Sequence, residues 1–140
     1  MVCTDYVTKW VEAKALPSAT ENSVIQFLFE DIFTHFGVPR EIVTDQGAQF
    51  TSKMVEQMVE KYKIRHRKST PYHPQENGQV ESTNKVIEGI LTNTVHLHRR
   101  DWAERLPEAL WAYKTTRRNT TCHTPYELVY GKQVLFPLEF

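Results

Sequence analysis

Residues 42–50 read IVTDQGAQF. Three β-formers, Ile42-Val43-Thr44, run into the carboxylate of Asp45, and Gly47 follows two residues later. The run predicts a short strand over Glu41 to Asp45 whose last residue lies at the carboxyl end of a sheet. In open α/β sheets, chemistry collects beyond those carboxyl ends. Gly47 lets the chain turn sharply, since a glycine tolerates positive φ. Taken alone, Asp45 reads as a turn former or as the N-cap of the next helix.

Working upstream, Ile25, Leu28, Phe29, Ile32, Phe33 and Phe36 recur at helical spacing. They predict an amphipathic helix with one apolar stripe, stopped by Gly37 and Pro39. Its start offers two N-caps, Ser18 in a Ser-x-x-Glu box with Glu21, or Thr20. Further upstream, Met1 to Val7 and Trp10 to Leu16 read as two strands, with Thr8-Lys9 able to form the tight turn between them. Downstream, Ser52 to Tyr62 predicts a helix with Met54, Val55, Met58 and Val59 on one side. In Lys63 to Arg67 the period becomes two, with Ile64 and His66 on one face and Lys63, Arg65 and Arg67 on the other. Pro71 and Pro74 mark a loop before a long helical stretch from Gln75 to about Leu97. Another helical region follows Asp101, with Trp102, Leu106, Leu110 and Tyr113 on one face and Pro107 expected to kink or divide it. Trp111 is expected in the core beside Trp102 and Tyr113. Thr124 to Tyr130 closes the chain as a short helix ended by Gly131. Strands and helices in this order predict a layered α/β domain.

The chain has 140 residues, enough for one modest domain, and its 40% hydrophobic and 24% charged content is that of an ordinary globular protein. The net charge is zero, so no global field attracts nucleic acid. The distribution is uneven, because Lys61, Lys63, Arg65, Arg67 and Lys68 cluster without an acid among them. The two cysteines, Cys3 and Cys122, fit neither a disulfide framework nor a zinc site. His96 and His98 fall on different helix faces and make no metal pair. No segment is apolar enough over 18 residues to suggest a membrane span. The sequon at Asn119-Thr120-Thr121 is read as chance.

A second stretch, residues 71–85, reads PYHPQENGQVESTNK. A polar loop with Gly78 feeds a helix on which Glu81, Asn84, Lys85 and Glu88 share one face. By itself this is a solvated face with a Glu81–Lys85 pair at i, i+4. Together with the first stretch it becomes a pattern, for 35 residues separate Asp45 from Glu81. The spacing resembles the D,D(35)E signature of retroviral and LTR-retrotransposon integrases. TDQGAQF resembles that family's second-Asp motif. YHPQENGQVESTNK resembles its flexible loop and Glu-bearing helix, and DYVTKWVEAKAL its second and third strands. AYKTTRRNTTCHTPYELVYGK resembles the end of the core in gypsy-class elements, with plant elements most similar. The resemblance runs along essentially all 140 residues.

The resemblance implies a ribonuclease-H-like, three-layer α/β core with a mixed sheet that cuts and joins DNA. Asp45 and Glu81 would be catalytic and would bind two Mg²⁺ (or Mn²⁺) ions about 3.5–4 Å apart. Mg²⁺ takes hard oxygen ligands, which carboxylates supply. Tyr72 and Asn77 match loop residues that meet DNA near the cut. Lys85 matches a lysine that approaches the DNA end, and Asn84 supports Glu81 or the nearby loop. Glu88 departs from the family, which often carries a second lysine there. Lys63, Arg65 and Arg67 either neutralise phosphates or protect an edge strand by charge. The family's first catalytic Asp lies upstream of the segment resembling VCTDYVTKWVEA. Asp5 aligns with a second-strand position and reads as structural. Residues 1–140 are therefore expected to be a core domain partial at the N-terminus, with its first central strand missing. Two readings follow: an integrase core that depends on residues elsewhere, or a non-catalytic remnant that binds nucleic acid or other integrase subunits. A generic nuclease of the same fold fits the loop and helix less well. DNA, further integrase subunits and a nuclear location are implied, and no membrane.

Overall fold

The computed structural model describes residues 1–69, 74–94 and 101–134, without the side chains of residues 74–77, 79, 80 and 94. They form two compact units, one of Met1 with Lys14–Glu81 and one of Val2–Ala13 with the residues from Ser82 onward.

In the first unit, α1 (Glu21–Phe27) starts at Thr20, whose hydroxyl accepts from the Ser23 amide while Ser23 Oγ accepts from the Thr20 amide. Thr20, not Ser18, is thus the N-cap. A π-helical segment, Leu28–Phe33, carries the chain into α2 (Thr34–Phe36), and Gly37 leaves at a φ of 83°. The wider turn rotates the apolar stripe away from the 3.6-residue register. Val24, Phe27, Leu28 and Phe33 are buried, whereas Phe29 (47%) and Phe36 (44%) stand open to solvent. Strand β3 (Glu41–Thr44) pairs in parallel with β4 (Arg65–Lys68), Glu41 opposite Arg65 and Thr44 opposite Lys68. Between them α3 (Lys53–Lys61) is capped by Ser52 Oγ, which accepts from the Val55 amide. Val55, Met58 and Val59 of α3 join Val24, Leu28, Phe33 and Ile64 in one buried cluster, with Ile42 and Phe50 packed against it. Met54 is exposed instead.

Helix α3 ends in a Schellman motif, with Lys63 N–H donating to Glu60 O and Ile64 N–H to Val59 O at 2.8 Å. Lys63 occupies the left-handed position of that motif at a φ of 56°.

In the second unit, β1 (Val2–Thr4) and β2 (Val11–Ala13) form an antiparallel hairpin, shorter than the hydrophobic pattern suggests. The loop between them is built on Asp5, whose Oδ1 accepts from the Val7 amide, the Thr8 amide and the Thr8 hydroxyl. That gives Asp5 the structural role expected of it. Burial pushes the Cys3 thiol up to about 11, with Asp5 and Glu12 adding to the effect, so this thiol is unreactive at neutral pH. Helix α4 (Pro74–Thr94) crosses from the first unit into the second and buries Thr83 and Ile87.

Helix α5 (Trp102–Thr115) runs continuously through Pro107, which therefore does not divide it. Its buried face is Leu106, Ala109, Leu110 and Tyr113. Trp102 and Trp111 do not join the core; each is nearly half exposed. Trp111 lies off the i, i+3, i+4, i+7 stripe and meets Tyr126 edge-on instead. Helix α6 (Pro125–Tyr130) has the expected bounds, with a Thr124–Glu127 capping box and Gly131 left-handed at its end. Among the described residues the expected mixed sheet is thus two separate two-stranded ladders, one antiparallel and one parallel. No described helix is long and apolar enough to cross a membrane.

The rotated stripe makes a contrast that equilibrium denaturation can check. Phe27→Ala should cost about 3–5 kcal/mol, the range for emptying a buried aromatic site. Phe29→Ala should cost about 1 kcal/mol or less. Equal losses would contradict the π-helical register.

Candidate metal and nucleic-acid site

Thr44 and Asp45 lie where β3 leaves the parallel ladder. The Ser69 amide donates to Thr44 O at 2.8 Å, extending the pairing to the end of the strand. Asp45 is exposed, and its Oδ1 accepts from the Gly47 amide at 2.8 Å, an Asx turn that fixes the carboxylate. Its Oδ2 has no protein partner among the described residues. The backbone of Gly47 is not at positive φ. A Cβ there would lie 2.9 Å from Asp45 Oδ1 and 2.7 Å from Gln49 Nε2, so a larger residue would make these side chains shift. The chain then turns on Gly47 O, which accepts from the Phe50 and Thr51 amides.

Glu81 is exposed in α4 and is the last residue of the first unit, so it shares a unit with Asp45. No ion pair joins it to Lys85, so the expected i, i+4 bridge is not formed. Lys85 is exposed, and Asn84 is half-buried with its Oδ1 enclosed and without a hydrogen-bond partner. Asn84 and Lys85 belong to the second unit. Tyr72 and the Asn77 side chain lie outside the described residues.

The basic strand is partly neutralised. Glu41 takes Arg65 Nε on one carboxylate oxygen and Arg67 Nη1 on the other, each at 3.3 Å. Lys68 pairs with Glu56 at 3.0 Å. These ion pairs are solvated and contribute little to stability. Lys63 is exposed on the loop side of the Schellman motif.

Sequence reading passed over His66 as a site residue. Its Nε2 lies 2.8 Å from Thr44 Oγ1, and burial, with Lys68 adding to it, lowers its pKa below the ordinary histidine value. The signal was present in the alternation of β4, which puts His66 on the face of Ile64.

Among the described residues no three His, Cys, Asp or Glu side chains gather where they could hold a metal ion. The donors present nonetheless suit magnesium. Mg²⁺ is bound through one or two carboxylates, keeps several waters and completes its shell with substrate phosphate. Asp45, with a fixed carboxylate and an uncommitted oxygen, has that chemistry.

A parallel ladder ending on an exposed carboxylate, with an exposed glutamate on a helix of the same unit, is the arrangement of an α/β core. Comparison with known proteins identifies the family. The family model described as integrase core domain matches residues 1–74, a span that holds Asp45 and stops before Glu81. The chain is 36% identical over 132 residues to the Pol polyprotein of Radiation murine leukemia virus (strain Kaplan), covering 94% of this chain and 22% of that polyprotein. Among solved structures, the simian T-cell lymphotropic virus intasome in complex with the PP2A regulatory subunit B56 gamma gives a TM-score of 0.77 at 24% identity. That match covers 99% of this chain and 50% of the other. The HTLV-2 integrase catalytic core domain in complex with magnesium gives 0.73 at 23% identity, over 90% of this chain and 80% of the other. The chain belongs to the integrase core domain family and has the ribonuclease-H-like fold of retroviral-type integrase catalytic cores.

The space around Gly47 makes a direct test of how the carboxylate is held. Gly47→Ala should shift the Asp45 side-chain carboxyl resonance and destabilise the chain by about 1 kcal/mol. An alanine accepted with the Asp45 carboxyl signal unmoved would show that the turn does not depend on the missing Cβ.

Proposed function

We propose that this chain is the catalytic core of a gypsy-class LTR-retrotransposon integrase that uses Asp45 and Glu81 to bind divalent metal and to cut and join DNA in the nucleus. The observation that carries this reading is the Asp45 carboxylate, exposed at the strand end, with one oxygen held by Gly47 and the other uncommitted. Divalent ions bound there would supply Lewis-acid activation of an attacking oxygen and stabilisation of a leaving one. Asp45 contributes a rigid oxygen donor from a strand, and Glu81 a second from a helix. Lys85, Asn84, Asn77 and Tyr72 contact the DNA end, and Lys63, Arg65 and Arg67 meet phosphates. For Arg65 and Arg67 this requires sharing with Glu41, so their contribution is smaller than that of unpaired cations. Further copies of the integrase assemble with the chain on DNA.

One observation favours the competing reading, a remnant that binds nucleic acid or integrase subunits without catalysis: the described residues hold no cluster of three metal-ligating side chains. Metal binding separates the two. In a Mn²⁺ titration followed by calorimetry, Asp45→Asn and Glu81→Gln should each weaken binding by more than the roughly 10–100-fold that a supporting residue costs. Their thermal midpoints should match the parent's. A collapsed midpoint for Glu81→Gln would make Glu81 structural, and unchanged Mn²⁺ affinity in both variants would leave the remnant reading.

Lys63 offers a second test, because its left-handed backbone is strained for any residue but glycine. Lys63→Gly should stabilise the chain by about 1 kcal/mol while lowering the salt dependence of duplex binding by about one phosphate contact. Stabilisation with an unchanged salt slope would remove Lys63 from the DNA interface.

A further inference from the structure

The face of the β3–β4 ladder that carries Ile42 packs on the buried cluster, yet two polar side chains lie on that side, Thr44 and His66. Polar groups placed beside a core are normally there to satisfy one another. Here the arrangement extends further. Thr44 Oγ1 lies 2.8 Å from His66 Nε2 and, at 2.9 Å, donates to the main-chain oxygen of Asp45. A threonine hydroxyl has one proton to give. When that proton goes to Asp45 O, the contact with His66 is supplied by an imidazole N–H. We propose that His66, as the Nε2–H tautomer, donates to Thr44 Oγ1 and so directs the Thr44 hydroxyl proton onto the Asp45 carbonyl, making His66 a positioning residue for the Asp45 carboxylate.

The opposite tautomer would accept the Thr44 proton and leave Asp45 O without it. The choice made at His66 therefore decides whether the peptide following Asp45 is tied back to the ladder. That tie acts on the same short segment as the Gly47 amide, which holds Asp45 Oδ1. Backbone and carboxylate are fixed from opposite ends, so the uncommitted oxygen points in one direction. Burial lowers the pKa of His66 and so favours the neutral ring, the form in which the two nitrogens differ. Lys68 is the other charged group that acts on the ring strongly enough to add to this, with Glu56 opposing it. The functional meaning of the relay rests on Asp45 being a metal ligand; the relay itself does not.

The test uses the whole ¹⁵N,¹³C-labelled chain, first without metal. Long-range ¹H–¹⁵N spectra should show His66 protonated at Nε2. Thr44→Val, which keeps the branched β-carbon, should shift the Asp45 carbonyl and Gly47 amide signals, and Thr44→Ser should restore them. Mn²⁺ is then added. Thr44→Val and His66→Phe should bind it about 10–100-fold more weakly, and His66→Gln, which retains an N–H donor near the Nε2 position, should recover most of the loss. A ring protonated at Nδ1, or a Thr44→Val chain with the Asp45 and Gly47 signals unmoved, overturns the proposal. Asp45→Asn is the control that separates the two ideas. If it leaves Mn²⁺ affinity intact, Asp45 is no ligand, and the metal-free spectra alone decide whether the relay exists. If Asp45→Asn abolishes binding while Thr44→Val and His66→Phe bind as the parent, the positioning role is wrong and the metal reading stands.

Discussion

Everything at the candidate site hangs on four residue pairs, the parallel ladder between Glu41–Thr44 and Arg65–Lys68. Parallel ladders are ordinarily buried on both faces. This one is short and buries only one side, so its stability must come from what lies beneath it. Ile42 packs on a cluster drawn from the first helix, its π-helical continuation and α3, and Ile64 enters the same cluster just before β4 begins. The Schellman motif at the end of α3 is what delivers Ile64 there, at the cost of a left-handed Lys63. Core packing thereby sets the register, and the register sets where β3 ends. The strand end in turn places Asp45.

The strand end shows how a small set of local bonds can convert a fold into a site. Asp45 is clamped by Gly47 through its side chain and by Thr44 through its main chain. Neither bond is costly to form, and both act within three residues. A carboxylate prepared in this way loses little freedom when it takes up a cation, which is the advantage of preorganisation. The basic strand is arranged less simply. Glu41 engages two arginines at once, so the positive charge on β4 is partly neutralised.

Much of this was readable from residue order. The strand ending on Asp45, helix α3 behind Ser52, the two-residue alternation around Ile64 and His66, and the closing helix from Thr124 to Gly131 all carry strong local signals. The failures have physical causes. A π-helical segment has no sequence signature, and it moved Phe29 and Phe36 out of a stripe drawn at 3.6 residues per turn. Pro107 sits one turn into α5, and the helix continues through it despite the lost amide. Trp111 was expected in the core, whereas its angular position puts it against Tyr126. Gly47 was read for its backbone freedom, whereas its φ is not positive and a Cβ there would press on the Asp45 and Gln49 side chains. Of the candidate site, Asp45 and Glu81 stood out only through their resemblance to the integrase signature. The Thr44–His66 contact could not, because it joins residues 22 apart across a ladder whose register only the structure supplies.

The proposed function requires Asp45 and Glu81 to act on one metal site. The most direct measurement is anomalous diffraction from a crystal of the chain soaked in Mn²⁺. Manganese coordinated by oxygens of both carboxylates, with water filling the remaining positions, is the result expected. Manganese bound to either carboxylate alone, or to neither while other acidic groups take it up, would contradict the account.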